Sequence, residues 1–154
     1  MAASAERPQR MINEQALLQM DYRSLDEVFS GGVSGPIPDG RANGTALMLA
    51  GSSINEGIAR VVDALAWKGK TFYAQHGVLT NRVSPFGLPA IVAVVYESAS
   101  WFDGKPCIVL DYSKTSLVAR FIRDEIRLVA PALYLGKVYV GRWPAFGFCL
   151  RFPT

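Results

Sequence analysis

From Thr71 to Phe152 the chain alternates between short apolar runs and turn signals. The runs are Thr71–Gln75, Ala90–Ser98, Cys107–Tyr112, Leu133–Val140 and Phe146–Phe152. Each has the length of a strand, and closely spaced strands of this kind curl into a barrel or a strongly bent sheet. In the last run Phe146, Phe148, Leu150 and Phe152 alternate, which makes one face of that strand apolar. Phe102-Asp103-Gly104-Lys105 predicts a hairpin turn, because Asp-Gly tolerates the positive φ such turns need. Gly141-Arg142-Trp143-Pro144 predicts a second one, between the last two strands.

The first half reads differently. Ile12, Ala16, Leu17 and Met20 predict a short helix over Met11–Met20. Ser24-Leu25-Asp26-Glu27 fits a capping box, followed by a turn of helix to Phe29 that Gly31 and Gly32 stop. Residues 30–44 hold so many glycines and prolines that no regular element is expected there. Thr45–Ala50 is either a first strand or the lead-in to a helix. Ser53-Ile54-Asn55-Glu56 is another capping box, and Ile54, Ile58, Val61, Val62 and Leu65 share one helical face up to Gly69. That helix is expected to lie across the sheet or to plug a barrel end. Leu117–Val129 suits two periods: Leu117, Phe121, Ile122 and Ile126 space like a helix, while a few positions alternate. A short helix or irregular turn near Arg123–Leu128, stopped by Pro131, is the favoured reading. The expected fold is thus mainly β with N-terminal helices (α+β): residues 1–10 a flexible tail, 11–154 one antiparallel barrel with a helix across one end.

Composition narrows the function classes. The chain has 154 residues, half of them hydrophobic, enough for one well-packed core. Its net charge of +3 is small and its Lys and Arg are dispersed, so no nucleic-acid partner is expected. Cys107 and Cys149 sit inside apolar runs and read as reduced, buried thiols. No apolar stretch resembles a secretory signal or approaches the ~20 residues that span a bilayer. A cytoplasmic protein is expected, with no cofactor implied, and a homodimer is left open.

Two segments carry a resemblance. Gly40-Arg41-Ala42-Asn43-Gly44 precedes the predicted helix, and Trp67-Lys68-Gly69-Lys70-Thr71-Phe72 closes it and opens a strand. This order resembles small bacterial proteins named for a Gly-x-Trp-x-Gly signature, which carry a Trp-x-Gly-Lys-x-Phe segment about two dozen residues later. The similarity runs from Gly35 to Phe152 and implies a lipocalin-like (calycin-like) barrel of largely unassigned function. Ala42 stands where that family has its Trp, which implies a different or roomier pocket.

No constellation of catalytic or metal-binding residues stands out. His76 is the only histidine, and with Cys107 and Cys149 it lacks the spacing of a zinc site. As a general base it would need an orienting carboxylate, which Asp111 could supply; a strand-end histidine is more often structural. Gly69-Lys70-Thr71 resembles the tail of a phosphate loop, but Ala64 occupies the position of the required Gly, and the segment follows a helix instead of preceding one. Arg120, Arg123, Asp124, Glu125 and Arg127 follow Asp111-Tyr112 as the densest charge cluster. The bland reading is a paired, solvated face; the sharper one points an Arg such as Arg123, with Asp111 or Tyr112, into the barrel to hold a ligand's head group.

The leading functional expectation is a barrel that binds a small hydrophobic or lipid-like molecule. Trp67, Tyr73, Tyr96, Tyr112, Arg123, Tyr134 and Phe148 are its candidate ligand-binding residues. A second is a cofactor-independent isomerase, hydratase or cyclase in the same cavity, with His76, Asp111 or Tyr112 as acid or base; it requires titratable groups that converge on one point. A third is an interaction subunit with a filled barrel, using Gly31–Gly44 as an arm on a partner.

Overall fold

The computed structural model describes residues 11–47, 69–81, 91–117 and 119–154. Eight antiparallel strands close into a barrel, each paired with its neighbour in sequence, and the first with the last. They are β1 (Gly40–Leu47), β2 (Lys70–Tyr73), β3 (Val78–Asn81), β4 (Ile91–Ala99), β5 (Pro106–Asp111), β6 (Ile122–Ala130), β7 (Leu133–Val140) and β8 (Trp143–Arg151). Two short helices, α1 (Glu14–Leu18) and α2 (Tyr22–Gly31), precede them. The expected tail at 1–10, the expected helix after Ser53 and most of the predicted loop Asn81–Pro89 lie outside the described residues.

Three local expectations need correction. Residues 123–128 are neither helix nor turn but the middle of β6. Leu117 and Phe121, which lent the segment its helical spacing, are exposed in the preceding connection. Only the alternation from Ile122 onward reports the strand. Regular structure also starts earlier than the glycine content suggested, because β1 begins at Gly40. Finally, α2 is capped by Asp21, whose Oδ1 accepts from Ser24 N at 2.8 Å, so Ser24 sits inside the first turn. Asp and Ser are comparable caps, and here Asp21 takes the role.

Two cores share the barrel wall. Inside lie Phe72, Leu79, Ile108, Leu110, Ile126, Phe148 and Leu150, among others. Outside, Leu17, Leu25 and Phe29 of the helices cover Leu47, Leu133, Leu135 and Cys149. Both cysteines are free and buried, and burial pushes each thiol up to about 12. That removes the thiolate that reactivity requires.

The two barrel ends differ. At one, Phe72 and Tyr134 pack edge-on against Phe152 at 5.5 and 5.6 Å. The segment 33–39 crosses the same end. Val33 pairs with Leu128, Pro36 O accepts from Tyr134 OH at 2.7 Å, Ile37 packs on the core, and Asp39 accepts from Ala74 N. The Gly/Pro-rich stretch is therefore spent on this chain's own barrel and is no free arm. From the other end leave the connections β1–β2, β3–β4 and β5–β6, the longest in the barrel. Long connections at one mouth of a rigid scaffold are where binding residues collect.

Candidate functional site

Register decides which side chains face inward. Lys70 and Phe72 share a face of β2, and Leu79 and Asn81 share a face of β3; Phe72 pairs with Leu79 and Lys70 with Asn81. Asp124 on β6 pairs with Leu110 on β5, and Tyr112 continues the inward face just beyond β5. Lys70, Asn81, Tyr112 and Asp124 thereby meet inside the barrel, near the end with long connections. Their exposures are 2%, 0%, 0% and 2%.

The four form one hydrogen-bonded cluster. Lys70 Nζ donates to Asn81 Oδ1 at 3.0 Å and to Tyr112 OH at 2.9 Å. Asn81 Nδ2 donates to Tyr112 OH at 3.0 Å. Tyr112 OH then donates to Asp124 Oδ2 at 3.4 Å, and Lys70 Nζ lies 3.5 Å from the same oxygen. The remaining carboxyl oxygen, Asp124 Oδ1, is buried with no hydrogen-bond partner among the described residues. Leaving such a group unpaired costs about 1–3 kcal/mol, and more if it is charged.

Burial acts against charge on every member. It lowers the Lys70 ammonium, opposed by the Asp124 charge. It raises the Asp124 carboxyl, opposed by Lys70. It lifts the Tyr112 phenol well above its ordinary value, helped by Asp124. Opposite shifts on an acid and a base narrow the difference between their proton affinities.

The wall beside the cluster is built from small residues. Gly40, Ala42, Gly44 and Ala46 are the inward positions of β1, opposite Phe72, Lys70, Leu150 and Phe148 respectively. None carries more than a methyl group. The Phe148 ring lies 5.6 Å from Lys70 Nζ and over Gly136 on β7, where an added Cβ would come within 2.3 Å of it. The cluster thus has an apolar floor, and one strand of its wall carries nothing larger than a methyl group.

The structure scatters the residues singled out from sequence. Tyr112, Tyr134 and Phe148 face the interior. Tyr134 belongs to the closed end, away from the cluster. Tyr73 is exposed on the outer face, and Tyr96 lies outside too, donating to Asp111 Oδ2 at 3.0 Å. Asp111 also accepts from Ser113 N and does not reach Tyr112's cluster. Arg123 points outward because it neighbours the inward Asp124 on a strand; it stacks on Trp101 at 4.3 Å and pairs with Glu125 at 3.0 Å. His76 is exposed in the turn between β2 and β3, at the closed end. Trp67 lies outside the described residues. Among the described residues, no group of His, Cys, Asp or Glu could hold a metal ion.

Lys70, Asn81 and Asp124 were not among the candidates. The signal existed for two of them. Ile122-Arg123-Asp124-Glu125-Ile126, taken as a strand, places a carboxylate between two isoleucines on the apolar face. Lys70 stands two residues before Phe72 on the same face. Asn81 falls at the end of a strand too short to leave a pattern.

Outside the barrel, Arg127 is fully buried and holds Asp103 with two bonds, at 2.6 and 2.7 Å. It also donates to Phe29 O, Lys105 O and Pro106 O. Glu125 accepts from Ser100 Oγ and Trp101 N. The charge cluster read from sequence is thus mostly a set of fasteners for the β4–β5 hairpin and α2. Between α2, Trp101 and Trp143 runs a surface cleft of about 640 Å³.

No protein-family model matches this chain, and no curated protein matches it. A solved structure of a protein from Thermomonospora curvata is similar in fold, with a TM-score of 0.58 and 17% identity. The match covers 88% of this chain and 89% of that one. No helix among the described residues is long and apolar enough to cross a membrane. The chain is a closed eight-stranded antiparallel barrel with an ionisable cluster buried inside it.

Proposed function

We propose that the barrel binds one small, mostly apolar molecule in lipocalin-like fashion, its polar end resting on the Lys70–Asn81–Tyr112–Asp124 cluster. The observation that carries this is Asp124 Oδ1, a buried oxygen without a partner beside a wall of Gly and Ala. A ligand hydroxyl would supply the missing hydrogen bond. Apolar residues of similar volume in place of a buried ion pair often leave a protein equally or more stable, which favours a role for the pair beyond the fold. The closed end, filled by Phe72, Tyr134 and Phe152, directs entry to the mouth with long connections. The Gly-x-Trp-x-Gly resemblance points the same way, since Ala42, at its Trp position, sits beside Lys70.

The energetics suffice. Burying about ten methylenes yields roughly 8 kcal/mol gross at ~0.8 each, association takes back several, and the hydrogen bond to a buried carboxylate returns ~1.5–3. Decanol titrated into the full chain, with native mass spectrometry as readout, tests the proposal. The wild type is expected to retain one decanol. The double variant Lys70→Met, Asp124→Leu is expected to stay folded, with a thermal midpoint no lower than wild type, and to bind about tenfold more weakly. No retained alcohol, or equal binding by the double variant, would reject it.

One observation favours a second reading, acid–base catalysis on the bound molecule. Lys70, Tyr112 and Asp124 are three titratable groups within hydrogen-bond reach of one point. That convergence is what a cofactor-independent isomerase, hydratase or cyclase needs.

A further inference from the structure

We infer that Lys70 captures aliphatic aldehydes or ketones as an imine inside the barrel, which makes carbonyl compounds the ligand class of this site. The inference rests on the ligand-binding reading above and adds a covalent step to it.

The geometry supplies each part of that step. The nucleophile is an amine held in an apolar interior, 2.9 Å from the Tyr112 hydroxyl and 3.5 Å from the Asp124 carboxyl. Addition needs a neutral amine and a nearby acid. Burial favours the neutral form of both Lys70 and Asp124. The Lys70 nitrogen attacks the carbonyl carbon, and the carbonyl oxygen takes the Asp124 proton. The resulting hydroxyl has an acceptor waiting, because Asp124 Oδ1 is unoccupied by any described residue. Asp124 next removes a proton from the nitrogen and passes it to that hydroxyl, which leaves as water. The product is an iminium on Lys70 beside the Asp124 carboxylate. One carbonyl compound, one neutral amine and the Asp124 proton give one iminium, one carboxylate and one water, with no oxidant or reductant consumed.

The neighbours suit such an adduct. Ala42 is the cross-strand partner of Lys70, so nothing larger than a methyl flanks the amine on that side. Phe148 lies beneath it and shields the imine from water. Lys105 and Lys114 differ in kind, since both are exposed on the surface.

The test treats the full chain with decanal and sodium cyanoborohydride at pH 7, which reduces any iminium to a stable secondary amine. Peptide mass mapping then locates the label. A lysine amine in an apolar interior is neutral more often than one in water. Labelling at Lys70 is therefore expected to exceed that at Lys105 and Lys114 by about tenfold or more. Asp124→Asn, which keeps the amine and loses the acid, is expected to lower the Lys70 label while leaving Lys105 and Lys114 unchanged. Decanol retained but label confined to surface lysines would overturn the imine and leave the binding site standing. Neither decanol retained nor Lys70 labelled would overturn both.

Discussion

At the scale of single residues, two buried charges do opposite work. Asp124 ends in an oxygen without a described partner. Arg127 makes all of its bonds and is a fastener. The fastener has a pH signature. Its guanidinium holds the Asp103 carboxyl well below the usual carboxylate range. A depressed folded value means stability that is complete above the unfolded value, near 4, and is lost as pH falls toward the folded one. Asp103→Asn is therefore expected to unfold at a lower temperature than wild type at pH 7. The gap should narrow steadily below about pH 4, as the wild type loses the same charge. Thermal scans from pH 7 to pH 2 check this, and a gap independent of pH would contradict it.

At the scale of elements, β6 shows how one strand serves two surfaces. Asp124 and Ile126 face inward, while Arg123, Glu125 and Arg127 fasten the outer layer. The charges that made this segment look like a solvated face are divided by the pleat between the barrel interior and a packed exterior. Facing it, β7 contributes an absence. Gly136 leaves room for the Phe148 ring, and a Cβ there would meet its Cζ at 2.3 Å. Overpacking of this kind costs about 1–3 kcal/mol. Gly136→Val should lower stability by at least that much and drive the ring toward Lys70. Combined with Phe148→Ala it should cost less than the sum of the two single losses, because the clash disappears with the ring. Urea unfolding of both single variants and the double variant measures the coupling; strictly additive losses would show that Gly136 is not holding space for Phe148.

At the scale of the whole molecule, closure is the defining event. The seam pairs β1 with β8, from Asn43 with Arg151 to Leu47 with Gly147. It joins residues about a hundred positions apart, so it gains its free energy only after most of the barrel has formed. Removing residues 148–154 would delete most of the β8 side of the seam and Leu150 and Phe152 of the interior. A chain ending at Gly147 is expected to lose its cooperative thermal transition and near-ultraviolet circular dichroism. A sharp transition in the truncated protein would mean that an open sheet suffices.

Five strands were legible in the sequence because their residues alternate or run apolar between clear turns; Leu133–Val140 has the same bounds in the structure. β3 spans Val78–Asn81 and is too short for a period to emerge. The end of β1 falls in the run Thr45–Ala50, one reading of which was a first strand, but its start was hidden by Gly40, Ala42 and Gly44, whose small side chains read as loop until cross-strand partners give them a face. Tyr112 was a sequence candidate, whereas Lys70, Asn81 and Asp124 acquire meaning only together. They come from three strands, and a hydrogen-bonded cluster is a property of distances in space. Local side-chain chemistry determined the strands and turns of this protein. Register and closure, which rest on pairings between distant residues, decided that a lysine, an asparagine, a tyrosine and an aspartate would share one buried interior.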